Sequence, residues 1–306
     1  MLTVEQAFDI SITEEGQFLM NEDFITETLG FTWDKIHSVF VKSAKEFSRR
    51  RPIFETKVMR GSSESGKYIM PEGTIAVNAI RYDILENYPR FMFPDFGQIQ
   101  YEFEKHSRIL RTFPPMQTLR VTYSREYTFS DSAPIIKAEY TVDYETEVNM
   151  LLDTHPKKGT LKVSKNGLEM KESGVTWQEV DNGTPEHEKI KMVTLTGTLG
   201  KGLYNPETRE LALFLKKKTG DGDIEVWCTP KYSYINELSL ADTLFVDLFK
   251  SYLLEAIASL RNQATQAHLH NIDLSSDDLY GRARALRARV IQNLRETFDF
   301  GATALI

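Results

Sequence analysis

Apolar residues recur at helical spacing in three stretches of this chain and alternate with polar ones over much of the rest. Near the N-terminus, Trp33, Ile36, Phe40, Ala44 and Phe47 repeat every three or four positions. That spacing predicts a helix capped by Thr32 and ended by Pro52. Ahead of it, 23–29 reads as a short helix and the rest of the first thirty residues as an arm or irregular lead-in. Alternation then takes over. Stretches 54–59, 74–82 and 119–129 read as half-buried strands, with turns at 64–66 and 71–73. Residues 87–97, rich in Pro and Phe, read as a loop or edge segment. Residues 99–110 and 144–152 fit helix or strand, and 135–144 reads as a strand. From 160 to 230, turn signals at 165–167, 181–183, 200–202, 205–206 and 220–223 separate short alternating runs, the pattern of a small sandwich or barrel.

The last seventy residues predict two amphipathic helices, at 238–266 and 276–298. The first has a stripe of Leu240, Leu244, Leu248, Tyr252, Ala256 and Leu260, widened by Phe245, Phe249, Leu253 and Ile257. A helix apolar over so broad a face is a core helix. Ser239 with Asp242 three residues on resembles a capping box. The second helix is capped by Ser275 or Ser276, with Asp277 and Asp278 at the positive end of its dipole. Its stripe is narrow: Leu279, Ala283, Leu286, Val290, Leu294 and Phe298.

These elements predict an α+β fold. Helices from the two chain ends form a helical part, and antiparallel β domains are inserted between them, including a small β-sandwich or barrel. The expected segments are an arm and helix at 1–52, a first β-rich domain at 53–155, a second all-β domain at 156–235, and at 236–306 a helical pair packing on the N-terminal helix.

Composition adds limits. At 306 residues, 41% hydrophobic and 26% charged, the chain is that of an ordinary globular protein. A net charge of −7 disfavours a general nucleic-acid binder, whose affinity rests on neutralising phosphates. The charge is uneven. Residues 1–34 carry Glu5, Asp9, Glu14, Glu15, Glu22, Asp23, Glu27 and Asp34 and no Lys or Arg. Residues 279–295 carry Arg282, Arg284, Arg287, Arg289 and Arg295 and no acid. Opposite poles of this kind pair within a chain or across subunits. The single cysteine, Cys228, excludes an intrachain disulfide and reads as a buried side chain. No apolar run is long enough to predict a membrane span and no signal-peptide pattern opens the chain, so the expectation is folding in a reducing cytoplasm.

Chemistry-bearing patterns are sparse. No G-x-S-x-G, H-E-x-x-H, Walker or Rossmann motif occurs. His268 and His270 form an H-x-H pair with only Asp273 near as a further ligand, short of a metal site. Residues 61–67 fail the phosphate-loop spacing, because Tyr68 stands where Ser or Thr is needed, and read as a hairpin turn. Glu139, Asp143, Glu145 and Glu147 are dense, but nothing selects two of them for acid–base work. The expectation is therefore no enzyme, with no catalytic residue, cofactor or metal. The candidate interface residues are Arg282, Arg284, Arg287 and Arg289 on the last helix and Phe91, Phe93 and Phe96 in the aromatic loop. The arginine run reads as a solvated face or an intersubunit salt-bridge surface, with nucleic-acid contact the least favoured of the three.

Two stretches carry a family resemblance. Phe47-Ser-Arg-Arg-Arg-Pro52, then a strand, then Lys67-Tyr-Ile-Met-Pro-Glu-Gly-Thr-Ile75, resembles the opening of tailed-bacteriophage virion proteins of the neck, tail or baseplate. The closing helices, joined through Ile272-Asp-Leu274, resemble the final helix pair of neck proteins of T4-like phages. The resemblance covers about 100 residues at the two ends, and the 160–230 β segment lies outside it. It implies a structural subunit present in several copies at the head-to-tail connection, or else a baseplate or tail-end structural or carbohydrate-binding protein. The implied partners are copies of itself and portal, connector, tail or baseplate subunits, and the implied location is the virion, assembled in the host cytoplasm.

Overall fold

A computed structural model describes residues 1–13, 25, 30–60, 66–82, 100–113, 118–131, 135–138, 147–180, 188–216, 223–265 and 276–302. Helices α1 (Val4–Thr13) and α2 (Trp33–Arg50) come first. Strands β1 (Ile53–Arg60), β2 (Lys67–Ile69), β3 (Thr74–Tyr82), β4 (Gln100–Glu104), β5 (Ile109–Phe113) and β6 (Thr118–Arg125) follow. Next are β7 (Phe129–Ser130), β8 (Ile135–Ala138), β9 (Glu147–Leu151), β10 (Lys162–Lys165), β11 (Leu168–Val180) and β12 (Glu188–Gly197). The last strands are β13 (Gly200–Tyr204), β14 (Glu210–Leu215), β15 (Ile224–Trp227) and β16 (Tyr234–Ile235). Helices α3 (Thr243–Thr265) and α4 (Ser276–Ala302) close the chain. The fold is α+β, with antiparallel sheets between the terminal helices.

The chain divides into two compact units, each built from two separate stretches. Met1–Gly16 joins Phe129–Ala241, and Gln17–Thr128 joins Asp242–Ile306.

The first unit is organised by one antiparallel sheet of order β8-β15-β10-β11-β12-β13-β14-β9. Alternation works as the pleat requires. Val148, Val163, Met170, Leu195, Leu211, Leu213, Ile224 and Val226 point to one side and form a single buried cluster. One face burying residues of so many strands in one cluster means that the sheet curls around that face into a half-barrel. A bulge between Glu172 and Gly174 and close backbone approaches at Gly197, Gly200 and Gly202 permit the curl. Residues 200–202 are therefore strand and not the expected turn: the glycines serve contact between strands. At the β10–β11 hairpin, Asn166 and Gly167 both take positive φ, 49° and 77°, as an Asn-Gly two-residue turn demands.

Helix α1 corrects the expected irregular lead-in. The Thr3 hydroxyl accepts the Gln6 N–H (3.1 Å), and the Gln6 side chain accepts the Thr3 N–H (3.2 Å). This reciprocal capping box opens a helix that buries Val4, Ala7, Phe8 and Ser11. Residues 147–151, left between helix and strand by the sequence, are strand, as are 100–104 and 109–113.

In the second unit, sheets β1-β6-β3 and β2-β5-β4 bury Met59, Tyr68, Met70, Val77, Leu110, Leu119, Val121 and Tyr123 in one cluster. At its rim Arg125 (2.7 Å) and the Tyr123 hydroxyl (2.8 Å) donate to the Glu55 carboxylate. These bonds, the arginine's first, hold the Glu55 carboxyl below its ordinary range, while burial pushes the Tyr123 phenol up to about 12. A depressed carboxylate stabilises the fold above its unfolded pKa and loses that contribution as pH falls through the folded value. Wild type is accordingly expected to melt above Glu55→Gln at neutral pH by a small margin, under about 1 kcal/mol at this part-exposed site. The margin should close under acid; melting curves across pH that stay parallel would refute the assignment.

The helices of this unit pack through aromatic edges. Phe40 meets Phe245 (5.4 Å between centroids) and Phe249 (5.8 Å), and Phe47 meets Phe245 (5.5 Å). Helix α3 begins at Thr243, later than the expected 238. Asp242 supplies the carbonyl that accepts from Phe245 and Val246, and Ser239 accepts the Ala241 N–H short of the helix. Thr32 precedes α2 but caps it through its backbone alone. The expected 23–29 helix lies outside the described residues except Ile25, which is buried.

Candidate interaction site

The curled sheet has a second side. Opposite the buried row, β14 presents Glu210, Ala212 and Phe214, and β9 presents Glu147, Asn149 and Leu151. The register sets Leu151 beside Glu210, Asn149 beside Ala212 and Glu147 beside Phe214. Leu203 on β13 lies beside Ala212, and Ile190 and Met192 continue the surface on β12. Together these residues line a groove of about 840 Å³. Leu151 is 58% exposed and Phe214 40%. The lining carries two carboxylates, Glu147 and Glu210, and no basic residue. Strand rise and spacing place the Cα atoms of those two glutamates about 14 Å apart. Glu210 also accepts the Thr208 hydroxyl (3.1 Å), and Asn205 accepts the Glu207 N–H (2.9 Å) in the turn that leads into β14.

At the edge of the groove, where Ile190 and Met192 lie, β11 and β12 outrun their neighbours. Pairing to β10 stops at Lys171, and pairing to β13 stops at Val193. The remainder is a two-stranded ribbon on which Val175 and Trp177 are exposed on the side that continues the buried row, the latter 63% exposed. Large exposed apolar groups in contiguity mark contact surfaces more often than isolated ones do.

The arginine run separates into two populations. Arg287 donates to Glu255 (2.5 Å) and stacks on Tyr252, 4.0 Å from the ring centroid; Lys42 covers the same ring at 4.5 Å. Arg289 meets Asp247 at 3.2 Å. Both therefore tie α4 to α3 in their own chain. Arg282 and Arg284 are exposed. So is Arg295, which is three turns from Arg284 on the same face. Around them the exposed side of α4 carries Gly281, Ala285 and Ala288, with Gln292 one turn before Arg295. Phe91, Phe93 and Phe96, like His268 and His270, lie outside the described residues.

Gly281 is unusual within this helix. A Cβ placed there meets nothing within 4 Å, so no close approach among the described residues requires glycine. Gly281→Ala is expected to stabilise the isolated chain by about 1 kcal/mol through lost backbone entropy in the unfolded state. The check is a melting temperature above wild type; a lower one would mean that the glycine does structural work inside the chain.

Buried polar groups of the first unit were not foreseen as a cluster. Glu5, fully buried on α1, accepts the His155 N–H (2.9 Å), lies 2.9 Å from His155 Nδ1, and accepts the Thr154 hydroxyl (3.3 Å). One turn on, Asp9 takes both terminal nitrogens of buried Arg209, at 2.8 and 3.1 Å. The i, i+4 spacing of two acids on α1 was the available sequence signal. These pairs fasten the helix to β-strand ends and turns. Part of the acidic N-terminal pole is thus neutralised within its own unit. Burial pushes the nearby Cys228 thiol up to about 12, so it stays protonated at neutral pH and is no nucleophile there.

Among the described residues no group of three or more His, Cys, Asp or Glu is placed to hold a metal, and no described helix is long and apolar enough to cross a membrane. Compared with known protein families, with curated proteins and with solved structures, the chain matches none.

Proposed function

We propose that this chain is a non-enzymatic structural subunit of a tailed-phage virion, assembling in several copies at the neck, between head and tail. Its partners are further copies of itself and portal, connector or tail subunits, joined through helix and β-domain surfaces. The observation that carries the reading is the open groove on the outer side of the curled sheet. Leu151 and Phe214 are held to solvent by strand register, not by chain flexibility. The projecting ribbon with Trp177 and the outward face of α4 supply further surface of the same kind. The resemblance of the two chain ends to phage neck proteins supplies the setting.

The test is the mass of the purified chain and its copy number in purified particles. A complex at a multiple of 35.2 kDa and a fixed stoichiometry in the neck are expected. A permanently monomeric protein absent from particles would sink the reading.

The groove also favours a second reading, a baseplate or tail-end protein that binds carbohydrate. Asn149, Asn205, Glu147 and Glu210 offer hydroxyl partners beside Phe214. This version is a reading of binding: Glu147 and Glu210, about 14 Å apart at their Cα atoms, serve in it as hydroxyl acceptors. It stands second because the lining supplies one aromatic ring for stacking. Binding to a panel of host cell-surface glycans, lost in Phe214→Ala, would move it to first place.

A further inference from the structure

We infer that the outward face of α4 in one copy lies in the sheet groove of the next copy, Arg284 and Arg295 meeting Glu147 and Glu210. The inference rests on the multi-copy reading above and names the surfaces that would join.

Charge selects the occupant. The groove's charged lining is acidic only, and the outward face of α4 from 279 to 295 bears arginines and no acid. Spacing agrees as well. Arg284 and Arg295 stand eleven residues apart, about 16.5 Å along the axis. The two glutamates are about 14 Å apart, a difference within the reach of an arginine side chain. Shape agrees third. Between the two arginines Ala285 and Ala288 keep the first turn of the face small where it would meet Leu151 or Phe214, and Gln292 adds a polar side chain before Arg295. One turn before Arg284, Gly281 continues the face without a side chain, and a Cβ there meets nothing within 4 Å in its own chain. Arg287 and Arg289 take no part, because α3 of their own chain holds them.

Groove and helix are different patches, so the contact is heterologous. Repeated, it closes into a ring or runs on as a filament.

Two charge-reversed versions of the full chain test it by sedimentation or native mass measurement. One carries Glu147→Arg with Glu210→Arg, the other Arg284→Glu with Arg295→Glu. All four sites are exposed, and circular dichroism with melting curves verifies folding. Each version alone should self-associate at least about tenfold more weakly than wild type. Mixed in equal amounts the two should recover association, because each groove then faces a helix of opposite charge. Unchanged association of either version, or a mixture that recovers nothing while wild type still assembles, overturns this contact and leaves the assembly reading standing. A wild-type chain that is monomeric at every concentration and absent from particles overturns both.

Discussion

Phe245→Ala should cost about 3–5 kcal/mol, the largest loss from a single truncation in the helical part. Phe245 is fully buried and its ring meets Phe40 and Phe47, which stand seven residues, two turns, apart on one face of α2. Removing it opens a cavity shared by both helices, and neither phenylalanine can collapse into that space without breaking its own contacts. Edge-to-face pairs add to the area term. Against the roughly 5–15 kcal/mol that holds a domain, such a loss brings the unit close to unfolding at physiological temperature. Denaturant titration followed by near-ultraviolet dichroism reads it directly. Phe245→Leu should retain most of the stability, because it keeps the volume and loses the ring geometry. A cost under about 1 kcal/mol for the alanine variant would mean that α2 and α3 are not held by this wedge.

The helical part was legible because its signals are local. The 3.6-residue period at 33–47 and the broad apolar face at 244–257 each state a buried helix without reference to the rest of the chain. Phe40, Phe47, Phe245 and Phe249, each on a predicted stripe, are the residues that interlock. Helix α1 escaped the sequence reading: the capping pair Thr3 and Gln6 and the apolar set Val4, Ala7 and Phe8 are local signals, but its acidic residues and short length read as an irregular lead-in. Residues 200–202 misled for a physical reason. Glycine marks a turn when the backbone needs positive φ, and marks a strand when a neighbouring strand comes too near for a side chain. Spacing alone does not separate the two.

The groove was not legible. Glu147 stood out only as one of four crowded acids, and Leu151, Glu210 and Phe214 each obey ordinary strand alternation. They meet because β9 pairs with β14 across some sixty residues of chain, a pairing fixed by the topology of the sheet. The arginine run shows the same limit in reverse. Its density was visible, but only the packing of α4 on α3 divides Arg287 and Arg289, which face Glu255 and Asp247, from Arg284, which faces outward.

Gly200→Ala and Gly197→Ala should each destabilise the β unit by about 3 kcal/mol or more, at the severe end of overpacking. A Cβ at Gly200 would stand 2.1 Å from the Phe214 carbonyl oxygen and 3.2 Å from the Leu215 Cα. At Gly197 it would stand 2.0 Å from the Glu169 carbonyl oxygen. The obstruction is backbone in both cases, so no rotamer change relieves it. One strand must move off its neighbour, and the curl that closes the buried face must open. Because Phe214 lies on the strand that would shift, the groove should distort with it. The expected observation is a lower melting temperature together with increased exposure of the Leu195–Leu213 core to a hydrophobic dye. Gly281→Ala is the internal control, since the same substitution in open space is expected to act with the opposite sign. If all three alanine variants shift stability alike, the half-barrel does not depend on these close approaches, and the outer surface of the sheet is shaped by something other than its glycines.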